Sequence, residues 1–144
     1  MPRHEEALRV VRVLHLTMVL SVLAIIAAGE LIRGQTASGG AAENLELIHK
    51  VLLVLLVATI GVVAMLRTRF VAPAAEEIRT RPDDDGAWTR WRGGNITSFV
   101  LCESIALLGF ALRFLGGELL QAAPFYAVSL VLLVFFTPRT PVTS

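Results

Sequence analysis

The sequence predicts an all-α integral membrane protein: four transmembrane helices in two hairpins, forming a single membrane domain over residues 1–144. Two observations carry that expectation. Of 144 residues, 55% are hydrophobic and 17% charged, and the mean hydropathy is +0.68; a soluble chain of ordinary composition carries about 25% charged residues. The apolar residues are also gathered into four stretches, 10–32, 47–66, 96–115 and 119–136, each near the ~20 residues that cross a hydrocarbon core of about 30 Å.

Helix 1, residues 10–32, follows Arg3, Arg9 and Arg12 and so has the outline of a secretory leader. Glu5 and Glu6 in the leading segment, a long apolar run and the lack of a small-x-small cleavage site favour a retained span instead. Helix 2, residues 47–66, carries a single glycine, Gly61, and Thr59 as its polar residue in the apolar interior.

The segment 67–94 is read as a cytoplasmic loop. Within it Ala74 to Thr80 has helical composition with Pro73 suited to a helix start, and Pro82-Asp83-Asp84-Asp85-Gly86 is turn chemistry that stops it. Three adjacent aspartates lack the alternating spacing and closing glutamate of a calcium loop, so a solvated turn is expected and no resident metal. Trp88 and Trp91, interleaved with Arg90 and Arg92, match an aromatic and cationic anchor at the membrane interface.

Orientation follows from the cations. Arg3, Arg9, Arg12, Arg67, Arg69, Arg79, Arg81, Arg90, Arg92 and Arg139 fall on one side of the spans, leaving only Arg33, Lys50 and Arg113 of the 13 near the other. The positive-inside rule then places both termini and the segment 67–94 in the cytoplasm, the membrane being the cell inner membrane.

Helix 3, residues 96–115, holds the most informative residue, Glu103. Counting about 1.5 Å per residue puts it some 11–13 Å deep, where a carboxylate has no water. An ionisable side chain at that depth is a functional-site candidate. Arg113 is about 15 Å further along the axis and rotated by roughly 80°, so it does not neutralise Glu103 within the helix. At similar depth are Ser21 on helix 1, Thr59 on helix 2, Ser129 on helix 4 (residues 119–136), and Ser104 and Cys102 beside Glu103. Ser104, Ser21, Thr59 and Ser129 are therefore expected to share a polar, proton- or ion-binding layer with Glu103. Cys102, the one cysteine, excludes an internal disulfide and reads as a small buried hydrophobe.

Towards the outer interface Glu30, Arg33, His49, Lys50, Arg113 and Glu118 are expected to form a polar cluster, with Gln121 and Tyr126 nearby. Such a group suits an anionic headgroup or a quinone ring, or else a set of snorkelling end residues paired among themselves. Gly29-x-x-x-Arg33 recurs as Gly109-x-x-x-Arg113, an offset of 80 residues that raises an internal repeat.

The run Glu103-Ser104-Ile105-Ala106-Leu107-Leu108-Gly109-Phe110-Ala111-Leu112 resembles the carboxylate helix of rotary ATP synthase proteolipids (subunit c). The resemblance implies Glu103 as a proton or sodium site with Ser104 and Cys102 as neighbours. The glycine-rich partner helix of that family has no counterpart, helix 1 holding only Gly29 and helix 2 only Gly61. Arg12-Val13-Leu14-His15-Leu16 in turn resembles the His-bearing first helices of several small haem-binding membrane proteins. His15 and His49 are separated by roughly 20 Å of depth, which speaks against one iron held by both.

No nucleophile-and-base pair, phosphate loop, metal-ligand spacing or dinucleotide fingerprint is present, so no enzymatic activity is expected. A net charge of +1 with arginines explained by topology gives no reason to expect nucleic-acid binding. Three readings follow. The first is a proton- or cation-linked component, a homo-oligomer or a subunit of a membrane complex, with the lipid bilayer as its medium and no cofactor. The second is a redox subunit associated with haem or quinone. The third is a structural accessory protein in which Glu103 fixes helix packing.

Overall fold

A computed structural model of the chain describes residues 3–36 and 44–138. Among them there are helices and turns and no strand. Helix α1 runs Arg3–Thr36, opening seven residues before the apolar stretch because the leading residues are good helix formers and Glu5 and Glu6 favour the positive end of the helix dipole. Helix α2 runs Leu45–Leu66.

The first half of the expected loop is helical. A π-helical turn, Arg67–Val71, carries α2 directly into α3, Ala72–Thr80, so that Leu45–Thr80 is one rod of 36 residues. Proline in a helix removes one backbone bond and crowds the carbonyl four residues earlier. The wider turn relieves that crowding: the Ala72 N–H reaches back five residues to Arg67 O just before Pro73. The hydropathy of residues 67–94 is low, and low hydropathy marks the end of a span without marking the end of a helix.

The expected stop at Pro82 is present. Arg81 leaves helical dihedrals, and Asp84 then caps α4, Asp85–Phe114, its carboxylate accepting from Ala87 N at 3.0 Å. That hydrogen bond holds the Asp84 carboxyl below the usual aspartate range. Helix α4 thus begins well before residue 96, and Trp88 to Arg92 lie on its first turns. After Leu115 the chain reverses through Gly116, whose φ of 94° is the one left-handed residue among those described. Helix α5, Leu119–Phe135, is opened by reciprocal bonds of Glu118 and Gln121.

Three helical segments, Glu5–Ile32, Leu45–Thr80 and Asp85–Phe114, are long and apolar enough to cross a membrane; α5 is a shorter apolar helix. Helix α4 is the centre. The share of its apolar window that is buried is 44%, against 17% for α1 and 11% for the α2 rod, and it packs on α1, α2, α3 and α5. The main partner of α1 is α4 rather than its chain neighbour α2.

Buried residues of α4 recur as Trp88, Trp91, Asn95, Ser98, Cys102, Ile105, Gly109 and Leu112, alternating steps of three and four that make a straight seam along the helix. On α1 Val11, His15, Val22 and Gly29 follow a compatible spacing. Among the described residues more leucines and valines are exposed than buried, as with Leu16, Leu20, Val54, Val57 and Val134. The seam is marked by small and polar residues, as in bundles whose outer face is met by lipid. Side-chain pairs give the directions: Ser21 with Glu103 and Glu30 with Arg113 set α1 parallel to α4. Ser129 with Cys102 and Phe125 with Gly109 set α5 antiparallel to it.

Candidate functional site

Glu103 projects from the α4 seam towards α1, beside buried Cys102, and is itself half-buried. The Ser21 hydroxyl donates to Glu103 Oε1 across the α1–α4 interface. Ser21 is half-buried and its hydroxyl reaches Glu103, so the residue that sequence depth placed opposite Glu103 also has the required rotation.

The remaining hydroxyls of the expected polar layer divide by orientation. Ser129 donates to Cys102 O at 2.7 Å, tying α5 to α4 one residue from Glu103 through backbone rather than through the carboxyl group. Ser104 donates to Val100 O at 2.9 Å and Thr59 to Leu55 O at 2.8 Å, each within its own helix. A hydroxyl in apolar surroundings has the carbonyl four residues back always within reach, and takes it unless the opposite helix offers an acceptor. Arg113, the cation on the same helix, is ten residues or about 15 Å from Glu103.

Arg113 belongs to a second buried polar group. Its side chain is 3% exposed and grips Glu30 with two nitrogens, Nε to Oε1 at 2.8 Å and Nη2 to Oε2 at 2.5 Å. Its third nitrogen donates to Gly117 O at 2.9 Å, closing the α4–α5 turn. Tyr126 packs between the two glycines of the repeated motif. A Cβ on Gly29 would meet the Tyr126 hydroxyl at 3.1 Å, and one on Gly109 would meet Phe125 Cβ at 2.9 Å. The Tyr126 hydroxyl is buried with no hydrogen-bond partner among the described residues.

The rest of the expected outer cluster disperses. Lys50 pairs with Glu46 on the exposed face of α2 at 2.7 Å. The His49 ring is 6.4 Å from that of Phe125, and Glu118 is engaged in capping α5. Arg33 is on α1, its side chain outside the described residues, and Arg139 is outside them altogether. Long end-of-helix side chains found local partners, which needed no tertiary arrangement.

At the other end of the bundle the two indoles are turned inwards. Trp88 is 5% and Trp91 3% exposed, buried where α3 packs against the start of α4. Trp88 Nε1 donates to Pro82 O at 2.8 Å, and the two rings meet edge to face at 5.9 Å. Arg90 pairs with Glu77 of α3, while Arg92 is exposed. Indoles covered in this way lack the lipid-facing placement of an interfacial belt. His15, which the sequence raised as a ligand, is buried with Nε2 2.8 Å from Leu133 O and its ring 5.1 Å from Phe99. His49 lies at the level of Gly109 through Phe125, ten residues or about 15 Å along α4 from Phe99.

Two residues entered no candidate site in the sequence, Arg67 having served only to orient the spans. Asn95 is 1% exposed and Arg67 lies against it, Nη1 3.5 Å from Asn95 Oδ1 and the guanidinium 4.0 Å over the Phe136 ring. The signal was the position of Asn95, a polar residue in step with Trp91, Ser98 and Cys102 on the buried seam. The chain matches no protein-family model, no curated protein and no solved structure.

Proposed function

We propose that the chain is a four-span inner-membrane protein, both termini cytoplasmic, in which Glu103 carries a proton within an oligomer or larger membrane complex. The observation that supports this reading is the Ser21–Glu103 bond across α1 and α4. A serine hydroxyl both donates and accepts, so it partners the ionised carboxylate and, with its hydrogen turned, the protonated acid. Glu103 gains a partner in either state without a permanent counter-charge, as a group that exchanges a proton requires. The resemblance of residues 103–112 to the carboxylate helix of ATP synthase proteolipids supports the same residue, and the four helices leave little interior for a complete transport pathway in one copy.

The structural reading has its own support, because the same hydrogen bond holds α1 on α4. Glu103→Gln separates the two, since glutamine keeps the size and hydrogen bonding of the protonated acid and cannot titrate. In proteoliposomes of wild type and Glu103→Gln, proton flux is expected in the first and lost in the second with oligomer size unchanged. Equal flux in both would sink the proton role of Glu103; no flux in either would sink autonomous transport and turn attention to a missing partner or a packing role.

A further inference from the structure

The π turn, the foot of α4 and the end of α5 enclose a cavity of about 430 Å³ lined by Arg67, Asn95, Trp91, Val71, Phe135 and Phe136, with Thr68 and Arg79 at its rim. That volume lies in the range of roughly 300–1,000 Å³ common to small-ligand sites. Its chemistry is two-sided. One wall presents the Arg67 guanidinium, stacked on Phe136 and steadied by Asn95; the other is aromatic and aliphatic, ending at Phe135, which is 78% exposed.

Arg67 has no carboxylate partner among the described residues, and its hydrogen bond to Asn95 uses one of five N–H groups. The planar fork that remains matches the oxygens of a phosphate. Arg79 adds a second cation, shared with Glu76 at 3.0 Å. The cavity lies where the apolar run of α2 ends, at Leu66, and just before that of α4 begins, at residue 96. In an embedded chain that is the depth of lipid phosphates.

We propose that this cavity binds the phosphate headgroup of an anionic phospholipid, Arg67 holding the phosphate and the Phe135–Phe136 wall meeting the start of an acyl chain. The exposed apolar wall favours a lipid over a free phosphate, which has no use for it. The site rests on membrane embedding alone, so it stands or falls separately from the proton role of Glu103.

Native mass spectrometry of the full-length protein released from neutral detergent, after equimolar additions of dioctanoyl phosphatidylglycerol and dioctanoyl phosphatidylcholine, tests it. The wild type is expected to carry the anionic lipid in about fivefold excess or more, and Arg67→Gln to bring the ratio near one. Thr68→Glu, which sets a carboxylate on the exposed rim without altering Arg67, should do the same, guarding against an Arg67 variant that fails to fold. Arg92→Gln, exposed and outside the cavity, should keep the excess. Equal adducts in the wild type, an excess that survives Arg67→Gln and Thr68→Glu, or one that Arg92→Gln also removes would overturn the site. An excess abolished by inorganic phosphate at the lipid's concentration would overturn the lipid source and assign the cavity to soluble phosphate.

Discussion

Glu30 and Arg113 form a pair whose two members are unequally buried, with 41% of the glutamate side chain exposed and 3% of the arginine. Removing the exposed partner strands a buried cation, whereas removing the buried one leaves a carboxylate that water can reach. Glu30→Ala is therefore expected to cost about 3 kcal/mol, and Arg113→Met, which refills the space with an apolar chain, about 1 kcal/mol. Unfolding in mixed detergent reads both, and an Arg113→Met cost equal to or above that of Glu30→Ala would refute the asymmetry. Ser21→Ala and Glu103→Met, each of which removes one partner of the bond, should show coupling of about 1 kcal/mol when combined in a double-mutant cycle, the scale of one interhelical hydrogen bond in a membrane protein. Additive effects would mean that the bond contributes nothing to assembly. At this scale the sequence was legible wherever depth alone decides, which is why Ser21 and Glu103 are found together. It was not legible where rotation decides: Thr59 and Ser104 share the depth of Glu103 but turn to their own backbones.

Helices α4 and α5 pack tightly at Gly109, where an added methyl group would collide with Phe125 and Tyr126. Gly109→Ala is expected to part the two helices at a cost of about 1–3 kcal/mol. Gly61 on α2 has nothing within 4 Å of such a methyl group, so Gly61→Ala should be neutral or stabilising by up to about 1 kcal/mol. The same unfolding assay compares them, and equal costs would place the close approach elsewhere. The start of α4 carries a pH signature. The Asp84 carboxyl titrates below its unfolded value because it accepts the Ala87 N–H. Its contribution is complete above the ordinary aspartate value of about 3.9 and fades as pH falls through the lower folded value. Asp84→Asn should flatten that acid limb in a stability-versus-pH curve, and an unchanged limb would exclude Asp84 as its source. The elements themselves were partly legible. Hydropathy located the apolar stretches, but it says nothing of Ala72–Thr80 or of the first turns of α4, whose residues are polar and helix-forming at once. The aspartates before Gly86 read as a turn, and Asp84 is also the cap that begins a helix.

Across the whole molecule the arginine distribution and the parallel run of α1 and α4 point to one test of topology. Cys102 is buried, so cysteines introduced at exposed Asn44 and Asp83 report separately. The expected outcome is that Asn44→Cys reacts with a membrane-impermeant maleimide in intact cells and Asp83→Cys only after lysis. Labelling of both in intact cells would rule out a crossing by the segment between them, Leu45–Thr80. The apolar stretches could be read from the amino-acid order, three of them lying in helices long enough to cross a membrane and the fourth in the shorter α5. Which helix is central could not, since α2 is more uniformly apolar than α4 and is the less buried of the two. The centrality of α4 has a consequence for how the protein is made. Chains emerge from the N-terminus onwards, so in an embedded protein α1 and the α2 rod would reach the bilayer while the helix that joins them is still unsynthesised. Until Asp85–Phe114 is made, Ser21 and Glu30 lack their partners Glu103 and Arg113. The contacts that hold α1 in the bundle therefore wait on one late segment, which supplies Glu103 to Ser21 and Arg113 to Glu30.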